Sequence, residues 1–340
     1  MNVDALCEAL RSSRGFLHKR DVSDVMGVLQ GAASAAGCTA AAVPLGDDCA
    51  AIPDGDGYLL FAIEGFVEDF VNASPWFAGY CGVMVNVSDI YAMGGRPLAV
   101  VDALWSRGME PGAQILDGLT AAARRYGVPL VGGHSNNRTA RAQLAVAILG
   151  RATRLLSSFA AKPGDRLVMA VDLRGRYEEP FPYWNASSDA PAERLRTDLE
   201  VLPWLAETGL CDAAKDISMA GVLGTTLMML ECSRVGAAID VGSIPRPPCA
   251  DDAALYRWLT AFPSYGFVLS VDPASVPSVI ERFAARDLAV AVIGEVTAAP
   301  QVRLTHDEST ALLWDFGTRP FMAAVPAAAS VAAPAESSHA

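Results

Sequence analysis

VNVSDIYAMGGRPL, residues 85–98, is an apolar stretch interrupted by Asn86, Ser88 and Asp89 and halted by Gly94–Gly95 ahead of Pro97. Apolar residues recur at helical spacing from Pro75 to this point, which predicts a helix ending at the glycine pair, a usual helix terminator. The continuous run PLAVVDALW (97–105) then predicts a buried strand. Asp89 therefore stands inside an apolar helix, where a carboxylate either makes a local hydrogen bond or is held for a cation.

The same pattern continues on both sides. Upstream, VPLGDDCAAIP (43–53) and GYLLFAIEG (57–65) read as strands separated by the turn-rich DGDG. Downstream, GAQILDGLTAAARRYG (112–127) is an amphipathic helix closed by Gly127, followed by the strand-like VPLVGG and AQLAVAILGRA. KPGDRLVMAVDL (162–173) reads as a turn feeding a strand that opens a second unit, and the alternation repeats to GEV at 294–296. Strands alternating with helices in both halves predict an α/β protein of two layered domains. The expected boundaries are 1–152, 153–320 and a disordered Ala/Pro/Ser-rich tail, 321–340. The first 40 or so residues read as helix with a basic knot, RGFLHKRD (14–21).

Composition removes several classes. The 340 residues carry a formal net charge of −12 with no basic stripe, so no nucleic-acid or anionic-membrane partner is expected. No run reaches the roughly 20 apolar residues that span a bilayer, and MNVDALCEALRSSRG lacks a signal-peptide core. The seven cysteines are scattered without C-x-x-C, which fits reduced thiols and a cytoplasmic location. P-loop, G-x-G-x-x-G, G-x-S-x-G and H-E-x-x-H motifs are all missing.

What remains is carboxylates at the ends of apolar elements: Asp47 and Asp48, Glu64, Asp89, Asp102 and Asp216. Carboxylates brought from separate elements suit Mg²⁺, which takes oxygen ligands and keeps substrate phosphates in its shell. Each has a plainer reading beside this one. GDD also suits a turn, Asp89 a local hydrogen bond, and the His134 of GGH a strand-ending turn.

GDDCA, Glu64–Gly65, VNVSDIYAMGGRPL, VGGHSNN, KPGD, KDISMAGVLGT and YGFVLSV occur in this order from Val43 to Gly294. Together they resemble the aminoimidazole ribonucleotide synthetase-related (PurM-like) superfamily. That group includes thiamine-monophosphate kinase, selenophosphate synthetase, the hydrogenase maturation protein HypE and formylglycinamidine ribonucleotide synthetase. The resemblance implies an N-terminal dimerising α/β domain with mixed sheets, a C-terminal α/β domain, ATP and Mg²⁺ as cofactors, a small-molecule substrate and a homodimer. It implies Asp48, Glu64, Asp89 and Asp216 as metal ligands. It also implies Asp47, Glu64, Gly65, Asn86, Gly132, Gly133 and Ser218 as nucleotide contacts, with Asp48 in catalysis. Lys19 and Arg20 of the basic knot are expected to offset the triphosphate charge, and His134, where the family has an Asp, is either a catalytic proton carrier or a structural turn residue.

Departures from the family pattern narrow the chemistry. Glu64 replaces an Asp, FVEDFVN lacks the His of thiamine-monophosphate kinases, Met219 replaces an acidic ligand, and GGH replaces GGD. His is a poor Mg²⁺ ligand but a sound proton carrier near neutral pH. The expected reaction is γ-phosphoryl transfer from ATP to a substrate oxygen, with activation of an amide or carbonyl oxygen favoured. The alternatives are a thiamine-monophosphate-kinase-like phosphotransferase and a nucleotide-binding assembly or regulatory protein without turnover. RGRYEEPFPYWNASSDAPAERL (174–195) is either a substrate-facing or a covering loop.

Overall fold

The computed structural model describes residues 2–36 and 43–323. Helices α1 (Val3–Arg11) and α2 (Arg14–Ala36) come first, with the Asn2 side chain accepting from the Ala5 N–H at 2.8 Å as an N-cap. The first sheet has the order β1 (Ala50–Asp54), β2 (Gly57–Gly65), β5 (Arg138–Ala152), β3 (Arg96–Arg107), β4 (Leu130–Asn136). Only β3 and β4 run parallel. The short α3 (Glu68–Ala73), then α4 (Pro75–Ala92) and α5 (Met109–Tyr126), complete this domain.

Every residue of α4 from Phe77 to Ala92 is buried, as expected of a helix apolar on all sides. It packs on α5 and β5 and reaches the strand Ala213–Asp216 of the second domain. Gly94 ends it with φ +74°, a conformation that a side chain would strain. The helix expected from residues 85–95 is thus present, and its central position brings Asp89 to the junction of the domains.

The second sheet has seven strands in the order Ser309–Asp315, Gln301–His306, Gly236–Asp240, Ala289–Thr297, Arg166–Val171, Gly266–Val271, Ala213–Asp216. The two domains are both mixed α/β, as the resemblance implies. Two packing details differ from the expected boundaries. Leu6, Leu10 and Phe16 pack into the core of the second domain, not the first, with the Phe16 ring 5.2 Å from Phe321 and 6.5 Å from Trp314. Phe321 and Met322 are themselves buried, and Glu231 accepts from their N–H groups at 2.6 and 2.7 Å. Order therefore extends into the segment expected to be disordered, and the rest of that segment lies outside the described residues. Among the described residues no helix is long and apolar enough to cross a membrane.

The face of the first sheet away from α4 is apolar and open. Ile63 is 66% and Phe61 49% exposed, and the strand register sets Ile63, Ala147 and Val101 in one row.

Candidate active site

Asp48 comes from the loop before β1, Asp89 from α4 and Asp216 from the end of the strand Ala213–Asp216. Ligand atoms of all three lie within 4.8 Å of one another. Asp89 and Asp216 are buried, and the Asp48 side chain is nearly so. Glu64, near the end of β2, lines the same cavity. Four of the expected metal-binding carboxylates are thus gathered in one place by the chain's folding.

The adjacent aspartates 47 and 48 have separate roles. Asp47 Oδ2 accepts from Ser157 Oγ at 2.7 Å and the Ser158 N–H at 3.0 Å, while Oδ1 accepts from Ser158 Oγ at 2.7 Å. It fastens the GDD loop to the domain junction and, like Asp48, lines the cavity between the domains. Asp48 faces the other way and forms a buried ion pair with Lys215. Lys215 was missed in reading the sequence. Its signal was present, because KD at 215–216 places a cation and a carboxylate side by side just ahead of ISMAGVLG.

Burial pushes the Asp48 carboxyl up to about 7, with Lys215 pulling the other way and Asp216 and Asp47 adding to the rise. Burial likewise raises Asp216 to about 6 against the pull of Lys215. Asp89 is held well above the carboxylate range, first by burial and then by Asp216, Glu64 and Asp48. Burial opposes the charge on Lys215, but Asp48, Asp47 and Asp216 together outweigh it and raise its pKa.

These shifts have a definite sign. Asp48 and Asp216 bind protons in the folded protein up to about pH 7 and 6, whereas the unfolded carboxyls release them near pH 4. Their contribution to stability is therefore full below about pH 4 and is lost as pH rises through 6 to 7. Melting curves without divalent cation should fall in temperature from pH 5 to pH 8, and Mg²⁺ should recover the loss at pH 8. A flat profile would show that these groups do not titrate in that range.

The carboxylates border a cavity of about 400 Å³ between the domains, and its wall is otherwise largely aromatic and apolar. His18 and Lys19 enter it from α2, and Gly65 and Ser218 also line it. An added Cβ at Gly15 would lie 2.3 Å from the Met219 carbonyl oxygen, so only glycine lets α2 seat directly on the loop after Asp216. Met219 lines the cavity where the kinase pattern has a carboxylate.

Five of the expected site residues fall elsewhere. Arg20 follows Lys19 on α2 but does not line the cavity. Asn86 is turned away from the Cys81–Val85–Asp89 face, since successive helical residues are about 100° apart. Its Nδ2 donates to the Gly82 carbonyl at 2.8 Å and to the Val146 carbonyl at 3.0 Å, tying α4 to β5. Gly132, Gly133 and His134 lie on the exposed edge strand β4, with His134 beside Ala103 on the open sheet face. Within one chain His134 does not meet the carboxylates.

The donors fit Mg²⁺. Asp48 Oδ2, Asp89 Oδ2 and Ser218 Oγ are buried without a hydrogen-bond partner, and burying such atoms unpaired is costly. All are hard oxygen donors, the set Mg²⁺ prefers.

The fold is that of the PurM-like proteins. Residues 46–152 match the N-terminal domain and residues 175–307 the C-terminal domain of AIR synthase related protein, so the chain belongs to that family. An uncharacterized protein of Synechocystis sp. is 45% identical over 321 residues, 94% of this chain and 98% of its own. Thiamine-monophosphate kinase of Synechococcus elongatus is 26% identical over 297 residues, 79% of this chain and 88% of that protein. PurL of T. maritima complexed with ATP has the same fold, with a TM-score of 0.67 at 22% identity over 77% of this chain and 44% of that one.

Proposed function

We propose that this protein is an ATP- and Mg²⁺-dependent enzyme that transfers the γ-phosphoryl of ATP to an oxygen of a small molecule, or thereby activates an amide or carbonyl oxygen. The observation that carries the reading is the buried trio Asp48, Asp89 and Asp216, with unpartnered oxygens on the first two. Those residues would hold Mg²⁺, with Glu64 beside them. When bound, the ion neutralises phosphate charge, the main requirement in phosphoryl transfer. Lys19 supplies positive charge from α2, Lys215 supplies it from the second domain, and Ser218 offers a hydroxyl. The apolar wall keeps water from the transferred group.

The family names support the ATP chemistry: PurL complexed with ATP, thiamine-monophosphate kinase, and selenide, water dikinase at 28% identity over 58% of this chain. Met219 in place of a carboxylate favours activation over simple phosphorylation of thiamine phosphate. The test is calorimetric titration with a non-hydrolysable ATP analogue, with and without Mg²⁺, followed by ADP release with amide and alcohol acceptors. Mg²⁺-dependent binding is expected, and a folded protein that binds no analogue would overturn the reading. Product with thiamine phosphate alone would favour the kinase.

The proposal includes a cytoplasmic homodimer joined through the open face of the first sheet, where Phe61, Ile63 and Val101 are exposed. A sheet face of this character is usually covered by a partner. Ile63→Asp should lower dimer affinity by about 100-fold or more, because it buries a charge at the centre of the patch. Light scattering after gel filtration would show a monomer. An unchanged dimer would place the interface elsewhere.

A further inference from the structure

A second cavity, about 240 Å³, adjoins the first and shares Val67, Phe70, Tyr183, Met219 and Phe262 with it. Its floor is a set of interlocked rings drawn from both domains. Phe70 of α3 is the hub, with ring centroids 5.0 Å from Phe181, 5.0 Å from Tyr183 and 6.0 Å from Phe77 of α4. Phe181 and Tyr183 lie nearly parallel, 11° apart at 5.4 Å, and Tyr183 meets Phe262 at 6.1 Å. These rings extend from the carboxylate cavity to Arg14, the first residue of α2.

The polar groups around this cavity are mostly engaged. Asp69 is paired with Arg141 at 2.9 Å, the Tyr256 hydroxyl donates to the Ala9 carbonyl at 3.3 Å, and Thr260 Oγ1 donates to the Tyr256 carbonyl at 2.9 Å. Arg14 is different. It is exposed, and among the described residues it has no ion-pair partner. The close seat of Gly15 on Met219 holds it at the cavity's outer end.

We propose that this second cavity is the acceptor subsite, and that the acceptor is a small molecule with a planar apolar body and an anionic end. Its body would lie against the Phe70–Phe181–Tyr183 rings, its anionic end at Arg14, and its reacting oxygen toward Asp48, Asp89 and Asp216. Aromatic faces favour a planar apolar partner, and a guanidinium binds a carboxylate or phosphate through paired N–H groups. This inference rests on the proposed function, since it assigns the acceptor half of the same site. The Arg174–Leu195 segment thereby has a substrate-facing part, residues 181–183.

Phenylacetate serves as the probe, read by saturation-transfer NMR on the full chain with and without Mg²⁺ and the ATP analogue. Phenylacetate is expected to bind at least about tenfold more tightly than acetate or ribose 5-phosphate. Arg14→Ala and Phe181→Ala should each weaken it about tenfold, the scale of one charged hydrogen-bond set or one ring contact. Both side chains are at least partly exposed, so the fold should survive, and calorimetry should show analogue affinity unchanged within about twofold. Failure of phenylacetate on protein that still binds the analogue would overturn the subsite and leave the nucleotide reading standing. Preference for ribose 5-phosphate, or binding indifferent to both substitutions, would also overturn it. Arg14-dependent phenylacetate binding without analogue binding would show that the pocket takes such a molecule but overturn its role as an acceptor subsite together with the nucleotide reading.

Discussion

Asp89→Asn is expected to remove Mg²⁺-dependent nucleotide binding, by at least about 100-fold in analogue affinity, while leaving the fold intact. Asp89 is 4% exposed and keeps one carboxylate oxygen without a partner. Its neighbours are Asp216, Glu64 and Asp48, all of which oppose its charge. In the ligand-free protein the amide relieves that repulsion, so the melting temperature without metal should be unchanged or higher. With Mg²⁺ and analogue present, the variant should lack the stabilisation that ligand binding gives the wild type. Two measurements of opposite sign on one substitution separate a ligand from a structural residue. A variant that melts lower and binds normally would make Asp89 a helix residue with no part in the site.

Lys215→Met should have the larger effect on stability. Lys215 is 4% exposed and paired with Asp48, in a cluster that also holds Asp89 and Asp216. Removing one partner of a buried ion pair typically costs about 3–5 kcal/mol, because the remaining charge is left unpaired. The loss should be smaller at low pH, where the carboxylates take up protons, and greatest near pH 8. Mg²⁺ should restore part of it by supplying the missing positive charge, whereas the wild type should gain less from the ion. Thermal melts at two pH values, with Mg²⁺ or with chelator, give the four numbers needed. Equal destabilisation in all four would mean that Lys215 is held for packing and does not neutralise the carboxylates.

The helix–glycine–strand succession of residues 75–105 was legible because local rules govern it. Apolar periodicity sets the helix, Gly94 permits the positive φ that ends it, and the β-rich run must continue as a strand. Acidic residues at element ends also stood out, because a carboxylate in an apolar run needs a reason. Sequence alone therefore determined the α/β alternation, the family motifs, and Asp48, Glu64, Asp89 and Asp216 as the residues to watch.

The tertiary structure decided how those residues are partnered. Asp47 and Asp48 are adjacent in the chain, yet one is spent on Ser157 and Ser158 and the other on Lys215, 167 positions away. Asn86 and Asp89 share a motif, but helical rotation aims one at β5 and the other at the cavity. His134 sits in a motif of its own on an edge strand facing outward. The first helices precede one domain in sequence and pack on the other. Spacing along a chain fixes which face a residue occupies within its element. Which element that face meets depends on long-range packing, and that alone gathered three distant carboxylates around one point.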